Sequence, residues 1–219
     1  MKILCVADSL GLPRNGVSYE STWFYKLSRL YGNKIDLIPK FQRSLTSNDI
    51  CIPDYSSFYN PNIVVMQIGI CDCAPRLYRR KRLFWIVLER VFRGYFFLII
   101  KKVRTRSPKR ADVSFEDFSK NINRYYNLLK KNSDFKLLVI ILIGASNNEN
   151  FKKKSPHFYD NIKKYNTSLS SYKNYDDCIV IDPLGGLPEE YFVEDGYHLN
   201  HLGNAVVFNE LKKIIDKYV

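Results

Sequence analysis

The chain predicts a three-layer α/β/α sandwich around a mainly parallel, five-stranded central sheet. Three observations predict it. Five short apolar runs alternate with segments of helical periodicity, the pattern of an α/β fold. The strongest run, KLLVIILI at 136–143, is uninterrupted, as a parallel strand covered on both faces requires. Three polar turns, 8–11, 69–76 and 189–201, fall beyond the carboxyl ends of predicted strands or just before the last helix, where such sheets hold their ligands.

KILCVA at 2–7 reads as a buried first strand, broken by the turn formers Asp8-Ser9-Leu10-Gly11-Leu12-Pro13. Residues 19–31 have helical spacing through Trp23, Leu27 and Leu30. A second strand is predicted from Ile35 to Ile38, stopped by Pro39, and a third over 62–68, ended by Gly69. A helix over 115–131 places Phe118, Ile122, Tyr125 and Leu129 on one face. The 136–143 strand follows, then a helix at about 157–173, a strand at 178–182 and a last helix from about 202 to 218.

Length and composition suit one domain spanning 1–219. The 219 residues are 46% hydrophobic and 15% aromatic, enough for a full core and unlike a disordered chain. Gly (10) and Pro (9) are too few for a collagen-like or low-complexity chain, and no internal repeat is found. Five cysteines, at 5, 51, 71, 73 and 178, and no leader-like start suggest free thiols in a reducing compartment. Cys71-x-Cys73 has the wrong spacing for a zinc knuckle and no second pair, so no metal site is expected.

The net charge of +12 is local. Residues 76–110 hold 13 Lys or Arg and one acid, Glu89, leaving the rest of the chain neutral. Within this insertion, 83–100 has 14 apolar residues of 18, flanked by Arg79-Arg80-Lys81-Arg82 and Lys101-Lys102. A membrane span is disfavoured by its central charges, at about 2.5–3.5 kcal/mol for each basic group. Two readings stay open: a helix at an anionic membrane surface through 79–102, which would make a cytoplasmic protein peripheral at the inner face, and a helix packed on the sheet over the site. A homodimer interface would also suit its apolar face. Nucleic acid is not the expected partner, because the basic residues flank an apolar helix and no recognition signature is present.

Chemistry concentrates in two blocks. Ser9 sits one residue past the first strand, where a tight turn exposes its hydroxyl and surrounds it with backbone amides. Asp195 and His198 lie three apart ahead of the last helix, in E-D-G-Y-H-L-N. A carboxylate so placed can hold an imidazole in the tautomer of a general base. Each has a plainer reading alone: Ser9 as a turn serine, Asp195 as a helix cap with His198 at the surface. His201 reads as a residue of the site rim or helix, and His157 as a helix-opening residue.

Together, A-D-S-L at 7–10, I-G-x-x-D at 68–72 and D-G-Y-H-L-N at 195–200 resemble the SGNH, or GDSL-like, hydrolase family over nearly the whole chain. The resemblance implies an α/β/α sandwich with esterase, lipase or acyl-transfer activity on lipids or glycans. It makes Ser9 the nucleophile, His198 the general base and Asp195 its orienter, with no metal or cofactor. Two departures stand out. Cys71, in Gly69-Ile70-Cys71-Asp72, occupies the place of an Asn that donates to the oxyanion, and a thiol is a poor donor. The second-block glycine has no clear match, and Arg43-Ser44-Leu45-Thr46 stands there instead. Losing one oxyanion donor costs on the order of 10²–10³ in turnover, so Arg76, Ser44 or the Gly69 or Cys71 backbone N–H is expected to substitute, with Asp72 beside them. The alternative is a catalytically weak glycan-binding or complex-forming protein on the same scaffold. Finally, C-D-C-A-P-R at 71–76 resembles SGNH-like proteins of bacterial surface-polysaccharide clusters. That implies an acyl ester, most simply acetyl, on a glycan or lipid-linked glycan, with water or a second sugar as acceptor.

Overall fold

A computed structural model of the chain describes residues 1–75, 90, 95, 111–146, 149–154 and 156–219. The expectations for the 76–110 insertion, its 79–102 membrane-facing stretch and Arg76 lie outside the described residues. Five parallel strands form one sheet in the order β2-β1-β3-β4-β5: β1 Lys2–Ala7, β2 Asp36–Phe41, β3 Ile63–Gln67, β4 Leu137–Ile141 and β5 Cys178–Ile181. The helices are α1 Trp23–Tyr31, α2 Ile70–Cys73, α3 Phe115–Leu129, α4 Glu149–Lys154, α5 Pro156–Ser170 and α6 His201–Ile215.

Alternation along each strand divides the core into two layers. Ile3, Cys5, Ala7, Val65 and Val139 face α1 and α6 through Trp23, Leu27, Val207 and Leu211. Leu4, Val6, Val64, Met66, Leu138 and Ile140 face α3 and α5 through Phe118, Ile122, Tyr125, Ile162 and Tyr165. Both faces of β3 and β4 are therefore buried throughout, which is why their sequences are apolar without alternation. This is the α/β/α sandwich, with every strand pair parallel.

Element ends differ from expectation for local reasons. The second strand runs through Pro39 to Phe41, with Pro39 opposite Cys5. Among the described residues it is an edge strand paired with β1 alone, so a residue without an N–H is tolerated there. Helix α1 starts at Trp23 because the Thr22 hydroxyl accepts from the Tyr25 amide (3.3 Å), and Tyr19–Ser21 form a separate 3-10 turn. The short helices α2 and α4 were not expected; four and six residues are too few to show a period.

The strand order reverses between β1 and β3, so the loops after these strands diverge at the carboxyl end of the sheet. Ser9 follows β1, and Gly69 to Pro75 follow β3. Pro75 and Ala111, which flank the insertion in sequence, pair as an antiparallel bridge. Among the described residues, no helix is long and apolar enough to cross a membrane.

Candidate active site

Ser9 opens a 3-10 turn, Ser9–Gly11, directly after β1. Asp8 caps the turn: its Oδ1 accepts from the Leu10 amide at 2.9 Å, and its own amide donates to the Gln67 carbonyl at the end of β3 (3.2 Å). Gly11 permits the tight turn, because a Cβ there would come within 2.7 Å of the Ala7 Cβ. The Ser9 amide occupies the first position of the turn, where N–H groups lack an internal partner.

The other half of the site is the 191–200 segment. The Val193 amide donates to the His198 carbonyl (2.8 Å), the Gly196 amide to the Val193 carbonyl (2.9 Å), and the Ser146 amide to the Gly196 carbonyl (2.7 Å). Gly196 has φ +81°, a conformation that favours glycine. Asn200 caps α6, its Oδ1 accepting from the Leu202 and Gly203 amides at 2.9 and 3.2 Å. The polar block D-G-Y-H-L-N is thus largely a folding signal that presents one imidazole.

These two elements meet. The Ser9 Oγ lies 3.0 Å from Nε2 of His198, and Nδ1 of His198 lies 2.5 Å from Oδ2 of Asp195. Asp195 Oδ1 accepts from the amides of His198 (3.0 Å) and Tyr197 (3.2 Å). Burial raises the Asp195 pKa most among single influences. The His198 ring, the two amides and the charge of His198 together outweigh it, holding the carboxyl below its usual range. An ionised Asp195 on Nδ1 keeps the proton there and leaves the Nε2 lone pair toward Ser9. Ser9 and His198 are both buried, and the Tyr197 ring packs 4.4 Å from the imidazole.

The β3 loop meets the Ser9 turn at Asp8, toward which the Gly69 and Ile70 amides are directed. Asp72 is fully buried, and its Oδ1 accepts both the amide (2.8 Å) and the hydroxyl (2.6 Å) of Ser47. Asp8 is also fully buried. Burial pushes both carboxyls up to about 7; the charge of Asp72 adds to the rise at Asp8, against the Leu10, Ile70 and Gly69 amides that lower it. Gly69 turns the chain at φ +117° against Ile143, whose Cδ1 would lie 2.7 Å from a Cβ. Cys71 is buried in the apolar layer of α3 and α5. Ser44 is exposed in the turn after β2, which pairs with β1 up to Ala7 opposite Phe41, and it holds φ +61°, a value unusual for a residue other than glycine. His201 begins α6 and is exposed, and His157 lies in the first turn of α5.

One residue at this site escaped the sequence reading. Arg14 Nη2 contacts Nε2 of His198. Its only sequence signal is the Asn15-Gly16 turn beside it, which reads as surface.

No protein-family model matches the sequence, and no curated protein matches it. Solved structures do resemble the fold. The esterase EstA from Pseudoalteromonas sp. superposes with a TM-score of 0.61 at 15% identity, covering 99% of this chain and 97% of that one. An acetylxylan esterase from Geobacillus stearothermophilus gives 0.62 at 14%, covering 97% and 92%. A GDSL-like lipase from Bacteroides thetaiotaomicron gives 0.64 at 12%, covering 100% and 89%. The chain therefore shares the α/β/α sandwich fold of these two esterases and this GDSL-like lipase.

Proposed function

We propose that the protein is a serine esterase or acyltransferase acting on an acyl ester, most simply an acetyl ester, of a glycan. The observation that carries this reading is the continuous chain Ser9–His198–Asp195, with links of 3.0 and 2.5 Å at the carboxyl end of the sheet. Ser9 Oγ attacks the acyl carbonyl while His198 Nε2 takes its proton, and Asp195 stabilises the imidazolium. The Ser9 amide is the donor this reading offers to the developing oxyanion, since the Leu10, Gly69 and Ile70 amides are directed at Asp8. Collapse breaks the bond to the sugar oxygen, which receives the proton from Nε2. Water or a second sugar hydroxyl then attacks the acyl-enzyme by the same path in reverse. The glycan rests on the resemblance of 71–76 to surface-polysaccharide proteins, and an acetylxylan esterase among the structural neighbours supports it.

Acetate release from an O-acetylated glycan and from 4-nitrophenyl acetate tests the reading, with Ser9→Ala as control. Adding an unacetylated acceptor sugar and weighing the products separates transfer from hydrolysis. Activity that survives Ser9→Ala would contradict the assignment.

A further inference from the structure

We infer that Arg14 reads an anionic group on the alcohol half of the ester, which makes the preferred substrate an acylated acidic sugar. The inference rests on the esterase reading above. Arg14 is held by a tight turn: its amide donates to the Val17 carbonyl (3.2 Å), and the Val17 amide donates back (2.9 Å). Gly16 closes that turn at φ +77°, and Val17 is buried beneath it. The guanidinium is therefore delivered by a fixed piece of backbone, not by a loose surface chain.

Its position defines what it can meet. Nε2 of His198 must return a proton to the leaving oxygen, so that oxygen sits beside Nε2 during the reaction. The Arg14 Nη2 already touches Nε2. The substituents of the leaving alcohol thus pass next to the guanidinium.

The fork itself is half used. Nε and Nη2 form one edge of a guanidinium, the edge that grips a carboxylate or phosphate with two parallel N–H···O bonds. Here Nη2 is spent on the imidazole, and Nε is buried with no hydrogen-bond partner. Among the described residues no carboxylate pairs with Arg14. An anion on the substrate would satisfy both N–H groups and draw Nη2 off the base. Until then Nη2 competes with the Ser9 hydroxyl for the Nε2 lone pair. Neutral esters therefore meet a partly blocked base, and acidic ones release it.

The test compares mono-O-acetyl glucuronic acid with mono-O-acetyl glucose, by acetate release, in wild type, Arg14→Gln and Arg14→Lys. 4-Nitrophenyl acetate reports the chemistry without an anion, with Ser9→Ala as its control. Wild type should favour the acidic sugar by about ten- to a hundredfold in kcat/KM, the range of a hydrogen bond to a charged group. Arg14→Gln should erase that preference while its 4-nitrophenyl acetate turnover rises, and Arg14→Lys should keep part of the preference. Equal rates on the two sugars in wild type would overturn the inference, as would a fall by one common factor on all three esters in Arg14→Gln. If no ester is cleaved in a Ser9-dependent way, the esterase reading itself fails.

Discussion

Asp8 and Asp72, on the loops after β1 and β3, are buried within electrostatic reach of each other behind Ser9. Burial and, at Asp8, the charge of Asp72 lift both from an ordinary 3.8 to about 7. The folded protein then keeps protons on these carboxyls where the unfolded chain has released them. Folding takes up protons in that window, so stability falls as pH rises from about 4 to about 7 and levels off above. Asp72→Asn keeps an oxygen for Ser47 and removes the titration. Its Tm should decline less than that of wild type between about pH 5 and 7.5. Parallel Tm profiles for the two proteins would contradict this.

In the proposed mechanism Asp195 fixes the tautomer of His198. In Asp195→Asn one oxygen can still accept the two backbone amides, but the amide nitrogen turns a donor toward Nδ1. The ring proton then moves to Nε2, which can no longer accept from Ser9. We expect kcat to fall by about 10⁴-fold with the thermal melt close to wild type. A loss below about tenfold would show that Asp195 does not hold the base.

Gly203 sets the approach of α6 to the segment that carries His198. A Cβ there would lie 2.4 Å from the Tyr191 carbonyl oxygen, a backbone atom that cannot swing aside. Gly203→Ala should cost about 1–3 kcal/mol of stability and lower ester hydrolysis by displacing the 191–200 segment. Denaturant unfolding and turnover on the same preparation check both; wild-type stability would mean that the segment yields.

The strands were legible because each is a short apolar run closed by turn formers, and the two buried on both faces carry no polar position to obscure them. Ser9, Asp195 and His198 were legible because each lies in a short contiguous block with a local backbone role: a turn after a strand, or a loop capped by Asn200. What escaped depends on contacts between distant segments. Pro39 stops a strand unless that strand lies at the edge, and strand order is a tertiary property. Arg14 stands 184 positions from His198, and nothing in its neighbours announces that its side chain reaches the imidazole. Asp72 reads as a residue of the site wall until Ser47, 25 positions away, claims its oxygen. Cys71 raised the question of the oxyanion donor, and the positive φ at Ser44 is a feature that only the backbone reveals.

The central claim is that Ser9 is a nucleophile activated by His198. Labelling the folded protein with a fluorophosphonate, and reading the modified peptide by mass spectrometry, tests it most directly. One adduct is expected, on Ser9, absent in Ser9→Ala and lost or greatly slowed in His198→Ala. Folded protein that leaves Ser9 unmodified, or His198→Ala that labels as fast as wild type, would contradict it.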